Sequence, residues 1–426
     1  MRFILIVLLT GIGSLAAIQS TIFAACLFLW HDIFRPQDFA RSGGALPLPI
    51  YVVLVLGLSF ALNWMRGKFK PKWNSFLTIT IFFLVWIYFT VLRSSFGQAQ
   101  IGYIEILKYL LPLFLISTAI QNKLDAKYLL AILMLSVGIW GAQAGVKGIM
   151  SGVANNMSIP GGQMSDNNDF MVAVDSIVPL LIYFCLSYKN RFKLVVRFSA
   201  FILLILCLCA VVFSNSRGAT IGLAGSIIIY TLIISRKKIR DGILLGLIVV
   251  IVLQVLPDTY FERLSTINLG AEQSEASASS RMDLAKAAFR GTLANPIFGV
   301  GPTCWLLASL NYGDNDSEPH NVWLKCSVET GIPGLIFFVS IIGLTIYKAL
   351  KIRRQSLKNG DEDMAQLATA LCMTVIGFAI PSTFVSHPFS EHFWAIMAIT
   401  NGLASRVIKR PKEYSIRKNQ VPKSLD

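Results

Sequence analysis

The chain has 426 residues, 54% of them hydrophobic and only 14% charged, with a formal net charge of +15. A mean hydropathy of +0.63 excludes an ordinary soluble domain. Recurring runs of about 17 to 22 apolar residues identify a polytopic membrane protein. Such runs close their own backbone hydrogen bonds only as helices, and the alternating strands of a barrel are absent, so the expected class is an all-α membrane bundle.

Spans are predicted at Phe3 to Trp30, Pro49 to Met65, Phe76 to Leu92, Ile104 to Ile120, Tyr128 to Val146, Phe170 to Ser187, Leu194 to Phe213, Gly218 to Ser235, Gly242 to Leu256, Ile332 to Leu350, Met364 to Val385 and Phe393 to Ile408. That makes about twelve. The first run could be one tilted helix or a tight pair broken near Gly11 to Ser14; a pair would move the N-terminus to the opposite side and leave the rest in place. Arg2 before an apolar run that reaches Ala16-Ala17 imitates a cleaved signal, but the run continues, so an uncleaved span is expected.

The net charge looks like a nucleic-acid signal until the basic residues are placed. They fill alternate loops: Arg66 to Lys72, Lys123 and Lys127, Lys189 to Lys193, Arg236 to Arg240, Lys351 to Lys358, and the tail from Lys409. By the positive-inside rule these loops are cytoplasmic, and attraction to anionic phospholipid explains their charge without nucleic acid. The remaining loops then face outward. The chain divides into spans over residues 1–256, a large outer loop over 257–331, spans over 332–408 and a basic cytoplasmic tail over 409–426.

Of the seven cysteines, Cys26, Cys185, Cys207, Cys209 and Cys372 fall within spans and read as packing residues. Cys304 and Cys326 share the outer loop and could pair as a disulfide in an oxidising compartment. No convincing internal repeat supports a transporter built from related halves, and midspan charge is scarce. Asp175 is the main exception and reads as a satisfied interfacial acid. Glu105 and Lys108 are spaced to pair on one helix face.

The outer segments carry the polar chemistry. Lys147 to Asp169 closes with Ser165-Asp166-Asn167-Asn168-Asp169, an N-cap cluster for the next helix with a second reading as substrate contact. Ser277 to Leu293 reads as an amphipathic helix, with Met282, Ala285, Ala288 and Phe289 at helical spacing. Arg281 then falls in its first turn, where the helix dipole disfavours a cation, so a role outside the helix is expected; Arg290 lies further along it. Asn295-Pro296 and Gly299-Val300-Gly301-Pro302 fix a turn, not a nucleotide fingerprint. Asp314-Asn315-Asp316 has a spacing that can hold a divalent metal, though such a triplet is common by chance.

Glu318-Pro319-His320-Asn321 leads into Val322-Trp323-Leu324. A histidine held by a proline at the mouth of a helix, in a polar outer loop, is a candidate general base; Glu318 or Glu329 could orient it. His387 and His392 flank another outward turn and are expected to line the same cavity. Arg217 begins a span after Ser214-Asn215-Ser216, as a snorkelling anchor or an anion ligand, and Arg93 is a further outward arginine. Fixed cations with one titratable base point to an anionic substrate.

Ser216-Arg217-Gly218-Ala219, then Arg281 followed by Asn295-Pro296 and Gly299-Val300-Gly301, then His320-Asn321 with Glu329-Thr330-Gly331 and Gly334-Leu335, in that order and on those elements, resembles the O-antigen ligase and polymerase superfamily over about Asp166 to Phe338. The Asp166-Asn167-Asn168 segment is similar to that of O-antigen ligases and of the ligase-like proteins associated with exosortase systems. The resemblance implies a twelve-helix fold and a polyisoprenyl (undecaprenyl) diphosphate-linked glycan donor. It implies metal-independent, inverting transfer on the periplasmic side of the bacterial inner membrane, with no cofactor and no nucleic acid. Arg217, Arg281 and His320 are the catalytic positions it carries over; Asn321, Arg93 and Arg290 join the two arginines as expected substrate contacts. The expected acceptor is the lipid A-core of lipopolysaccharide. Another glycan, as in a polymerase, or a protein are the alternatives within the class, and a flippase of lipid-linked glycan the alternative outside it.

Overall fold

The computed structural model describes residues 2–39, 48–151, 164, 166–186, 191–214, 216–231, 239, 243, 271–313 and 317–408. The expected span from Gly242 to Leu256, the Asp314-Asn315-Asp316 triplet and the tail from Lys409 lie outside these residues, 243 apart. All regular structure among the described residues is helical, and eight helices are long and apolar enough to cross a membrane. Three shorter apolar helices accompany them, Ile4–Ala17, Thr21–Phe34 and Gly218–Ile229.

The first apolar run is a pair, α1 (Arg2–Ala17) and α2 (Thr21–Leu29), the latter continued by a π-helical turn over Trp30–Phe34. The break falls at residues 18–20 and not near Gly11 to Ser14, because Ser20 caps α2 by accepting from the Phe23 N–H, while Gly11 and Gly13 are absorbed into α1. Then follow α3 (Leu48–Met65), α4 (Ser75–Arg93), α5 (Gln98–Ala119), α6 (Lys123–Ser151), α7 (Asn167–Leu186), α8 (Arg191–Phe213) and α9 (Arg217–Ile229). The outer loop contains α10 (Ala271–Ala294) and the short α11 (Trp305–Ala308), and the chain closes with α12 (Val322–Lys358), α13 (Glu362–Ala379) and α14 (Glu391–Val407).

The helices outrun several predicted boundaries. α6 takes in Lys123 and Lys127 at one end and reaches Ser151 at the other, and α12 takes in Lys351, Arg353, Arg354 and Lys358. Intramolecular bonds hold these basic residues on helix ends: Lys123 and Lys127 pair with Asp363 at 3.0 and 2.9 Å, and Arg353 donates to Thr369. Lys72 donates to the Ser405 carbonyl, Arg406 to that of Ile120 and Lys68 to that of Gln19. The residues assigned to cytoplasmic loops therefore gather at one end of the bundle, and the α1–α2 turn joins them there.

The core is built from α7, α13 and α14, whose faces are buried almost throughout, against α5, α6 and α12. Phe83, Trp394 and Phe389 stack at its centre. Asp175 departs from expectation: it is buried in α7, and neither carboxylate oxygen has a hydrogen-bond partner among the described residues.

The element that shapes the outer end is a break in α12. Gly331 takes φ 74° and ψ 174°, which is not helical, and Pro333 follows without an N–H to give. The backbone groups freed by the break are paired by the Asn295-to-Gly301 turn. Val300 N–H donates to the Val328 carbonyl at 2.8 Å, Gly301 N–H to Glu329 at 3.0 Å, and Ile332 N–H to Pro296 at 2.8 Å. Trp86 from α4 donates to the Thr330 carbonyl. A Cβ on Gly331 would stand 1.9 Å from the Ile297 carbonyl oxygen, and one on Gly299 2.5 Å from the Glu329 backbone. The Gly-x-Gly turn is thus a backbone clamp that lets nine residues, 322–330, run as a separate short helix above the membrane-spanning part of α12.

Candidate active site

His320 sits at the head of that short helix. Asn321 caps it by accepting from the Leu324 N–H at 3.0 Å, and His320 itself is held at φ 45°, a left-handed conformation that non-glycine residues seldom adopt. Such strain persists where the surroundings over-determine it, and functional sites are where it concentrates. Thr303, at φ 58°, is a second such residue in the same region.

Around His320 the fold gathers charges from three separate segments. Lys325, one turn into the short helix and buried, donates to Glu318 at 2.6 Å. Glu329, fully inside the protein, accepts from the Trp305 N–H at 3.4 Å. Neither acid is hydrogen-bonded to His320, so the expectation that one of them orients the imidazole is not met: Lys325 and the α11 backbone hold them instead. Arg281 comes from α10, which packs on the short helix through Ala287, Ala288, Trp305 and Val328 and a Thr292–Ser327 hydroxyl pair at 3.1 Å. The helix starts at Ala271 and not at Ser277, so Arg281 lies in the third turn and the dipole argument against a cation there falls away. Its side chain is exposed.

The third segment is the start of α7. Asp166 caps it, accepting from the Asn168 N–H at 2.8 Å. Asn167 donates to the Ser214 carbonyl at 3.2 Å and Asn168 accepts from Ser216 at 3.0 Å. The acidic, asparagine-rich segment is thereby stitched to the turn that opens α9, where Ser216 caps the helix whose first residue is Arg217. The Arg217 backbone is fixed beside Asp166 to Asp169; its side chain lies outside the described residues. Asp169 approaches His387 Nε2 at 3.4 Å.

These groups act on one another. Burial lowers the proton affinity of His320 and the Arg281 guanidinium lowers it further, while Asp166 and Glu318 pull the other way. His387 is pushed down to about 4, by burial first and then by Lys325, with His320 adding to it against Asp166. Its contact with Asp169 at neutral pH is therefore that of a neutral imidazole with a carboxyl group rather than an ion pair. His387, Lys325 and Glu329 line one cavity of about 60 Å³ with Glu105, Tyr109 and Phe389.

The predicted residues divide accordingly. His320 lies within electrostatic reach of both Arg281 and His387, with Arg217 opening the adjoining helix. His392 does not join them: it is buried in α14, sharing a 2.9 Å hydrogen bond with Ser390 and packed on Phe378. Arg93 stands over the Phe298 ring at 5.7 Å, and Phe298 stacks on Trp86, so Arg93 braces the clamp. Arg290 donates to the Tyr312 carbonyl at 3.4 Å; nine residues from Arg281, it faces the opposite side of α10 at about 100° per residue. Asn321 spends its side-chain oxygen on the cap. Cys304 and Cys326 are buried free thiols, and Glu105 and Lys108 form no ion pair with each other among the described residues.

Lys325 and the Asp169–His387 contact were missed as parts of the site. Lys325 carried a signal, a lysine on the buried face of a short helix seven residues after Glu318; the Asp169–His387 contact joins segments 218 residues apart (387 − 169) and left none.

A family model described as O-antigen ligase matches residues 202–339, which includes α9, Arg281, the clamp and His320. A second, described as a family of unknown function, matches residues 1–188. No curated protein matches the chain.

Proposed function

We propose, from the premise that this chain belongs to the O-antigen ligase-like superfamily through residues 202–339, that it moves a glycan from an undecaprenyl diphosphate carrier to a hydroxyl of the lipid A-core. The family match and the apolar helices support a membrane O-antigen ligase-like glycan transferase. The full chain is taken as twelve spans in the inner membrane. The His320 end is the periplasmic face, because the opposite end carries the paired lysines and arginines.

Arg281 and Arg217 hold the diphosphate, since forked guanidinium donors match phosphate oxygens and stay charged at any physiological pH. His320, kept neutral by burial and by Arg281, takes the proton of the acceptor hydroxyl. The electrons of that O–H bond form the new bond to the anomeric carbon. The bond from that carbon to the diphosphate oxygen breaks with its pair, and the arginines stabilise the departing charge. Attack opposite the leaving group inverts the anomeric centre, and no metal enters the step. Asn321, Arg93 and Arg290 support the site as cap and braces.

The observation that carries this reading is His320 held at φ 45° on a helix start that the Asn295-to-Gly301 turn clamps, with the charge of Arg281 on α10 acting on it. The test is the lipopolysaccharide of a strain lacking this gene. Full-length lipid-linked glycan left unattached to lipid A-core is expected; a normal ladder, or single repeats on the core, would overturn the reading.

A further inference from the structure

The cavity of about 60 Å³ beneath the site has no part in holding the donor. It lies between α5, the short helix and the turn before α14. Glu105, Glu329, Tyr109, Lys325, His387 and Phe389 are among the residues that line it. Two carboxylates against one ammonium make this a poor place for a diphosphate. The mixture of donors and acceptors suits hydroxyl groups, each of which needs both, and Phe389 offers an apolar surface. The volume takes roughly two waters or one hydroxyl-bearing arm, not a sugar ring.

The buried side is built and held. Lys325 and Glu329 are 7% and 2% exposed; Lys325 is fixed by Glu318 at 2.6 Å, and Glu329 by the Trp305 N–H. α5 is pressed onto the Pro302-Thr303 turn at Gly102, where a Cβ would stand 2.2 Å from the Thr303 hydroxyl. The open side is different. Glu105 is exposed at the mouth, and its helix neighbours Ile101 and Ile104 are exposed as well. An apolar flank on a membrane helix faces lipid, so a molecule entering past Glu105 arrives along the bilayer surface.

We infer that this cavity is the acceptor subsite: it receives a hydroxyl-bearing arm of a membrane-anchored saccharide that enters laterally over α5, with Glu105 and Tyr109 holding it so that a neighbouring hydroxyl faces His320. The inference rests on the transferase reading above and adds to it where the acceptor binds and from which side. Donor and acceptor then approach from opposite sides of the short helix, the donor over α10 and the acceptor over α5.

The test uses the full-length protein in proteoliposomes, with undecaprenyl-diphosphate-linked glycan as donor and rough lipopolysaccharide as acceptor, and the variants Glu105→Ala, Glu105→Gln and Tyr109→Phe. A hydrogen bond to a charged group is worth about 1.5 to 3 kcal/mol, or about ten- to a hundredfold. The KM for acceptor should rise at least tenfold in Glu105→Ala and recover in part in Glu105→Gln, with the KM for donor and the kcat at saturating acceptor within threefold of wild type. Glu105 is exposed, so its variants decide the matter even if Tyr109→Phe fails to fold. Unchanged acceptor KM in both Glu105 variants, or a rise in donor KM instead, would overturn the subsite while leaving the transferase reading intact. A wild-type protein that transfers nothing would overturn the reading beneath it.

Discussion

Replacing Gly331 by alanine tests whether the break in α12 builds the site. The backbone there has φ 74° and ψ 174°, a region open in practice to glycine alone, and forcing another residue into it costs about 1 to 3 kcal/mol. The new Cβ would also stand 1.9 Å from the Ile297 carbonyl oxygen and 2.4 Å from its carbon, so the clamp must move away. That movement breaks the Ile332-to-Pro296 and Gly301-to-Glu329 hydrogen bonds, each worth about 0.5 to 1.5 kcal/mol net. The total is about 2 to 6 kcal/mol, concentrated on the short helix that carries His320, Lys325 and Glu329. A shift of about 1 Å at reacting groups costs on the order of a hundredfold in rate. Gly343 lies in the same helix with nothing within 4 Å of its Cβ position, and Gly343→Ala serves as the control. Thermal unfolding in detergent and transfer in proteoliposomes should show Gly331→Ala less stable and at least a hundredfold slower, with Gly343→Ala close to wild type. Equal stability and turnover in the two variants would refute the clamp.

Two further outcomes follow from the same geometry. Neutral imidazole is the working form of His320, and its proton affinity is lowered from the usual 6.5, so kcat/KM should be level near neutrality and fall only as pH drops through a value below 6.5. Arg281→Gln removes one of the lowering influences and should move that acid limb to higher pH while slowing transfer; a limb above 6.5 in wild type would count against His320 as the base. A cysteine placed at the exposed Leu310 should react with an impermeant thiol reagent from the periplasm in intact cells, and labelling only after the inner face is opened would reverse the assigned topology.

The bundle was legible because membrane spans announce themselves by length and apolarity, and the outer-loop helix because its apolar residues recur at helical spacing. His320 and the Asp166 segment drew notice as polar residues in outer loops, whereas Arg281 drew notice through a dipole argument that the helix start at Ala271 removes. The break in α12 was legible only in part: a helix from Val322 ending near Gly331 and a span from Ile332 were both expected, but not that they join across a kink at Gly331 clamped by the turn at Asn295 to Gly301. Glu329 was legible as a polar neighbour of His320, but its actual hold, on the Trp305 N–H, and the burial of Lys325 against Glu318 depend on how the short helix packs. The split of the first apolar run at residues 18–20 depended on one capping serine among several small residues. The pairing of His387 rather than His392 with the site depended on which of two neighbouring histidines α14 buries in the core, and spacing alone does not separate them.

The central claim is that His320 takes the acceptor proton while arginines hold the donor. Purified His320→Ala, reconstituted with undecaprenyl-diphosphate-linked glycan and rough lipopolysaccharide, tests it directly when single-turnover transfer and donor binding are measured on the same preparation. Loss of a general base typically costs about a hundred- to ten-thousand-fold, so transfer should fall by at least a hundredfold with donor affinity retained, whereas Arg281→Lys should weaken donor binding. Near wild-type transfer by His320→Ala would contradict the account and turn attention to His387, the histidine beside it that contacts Asp169.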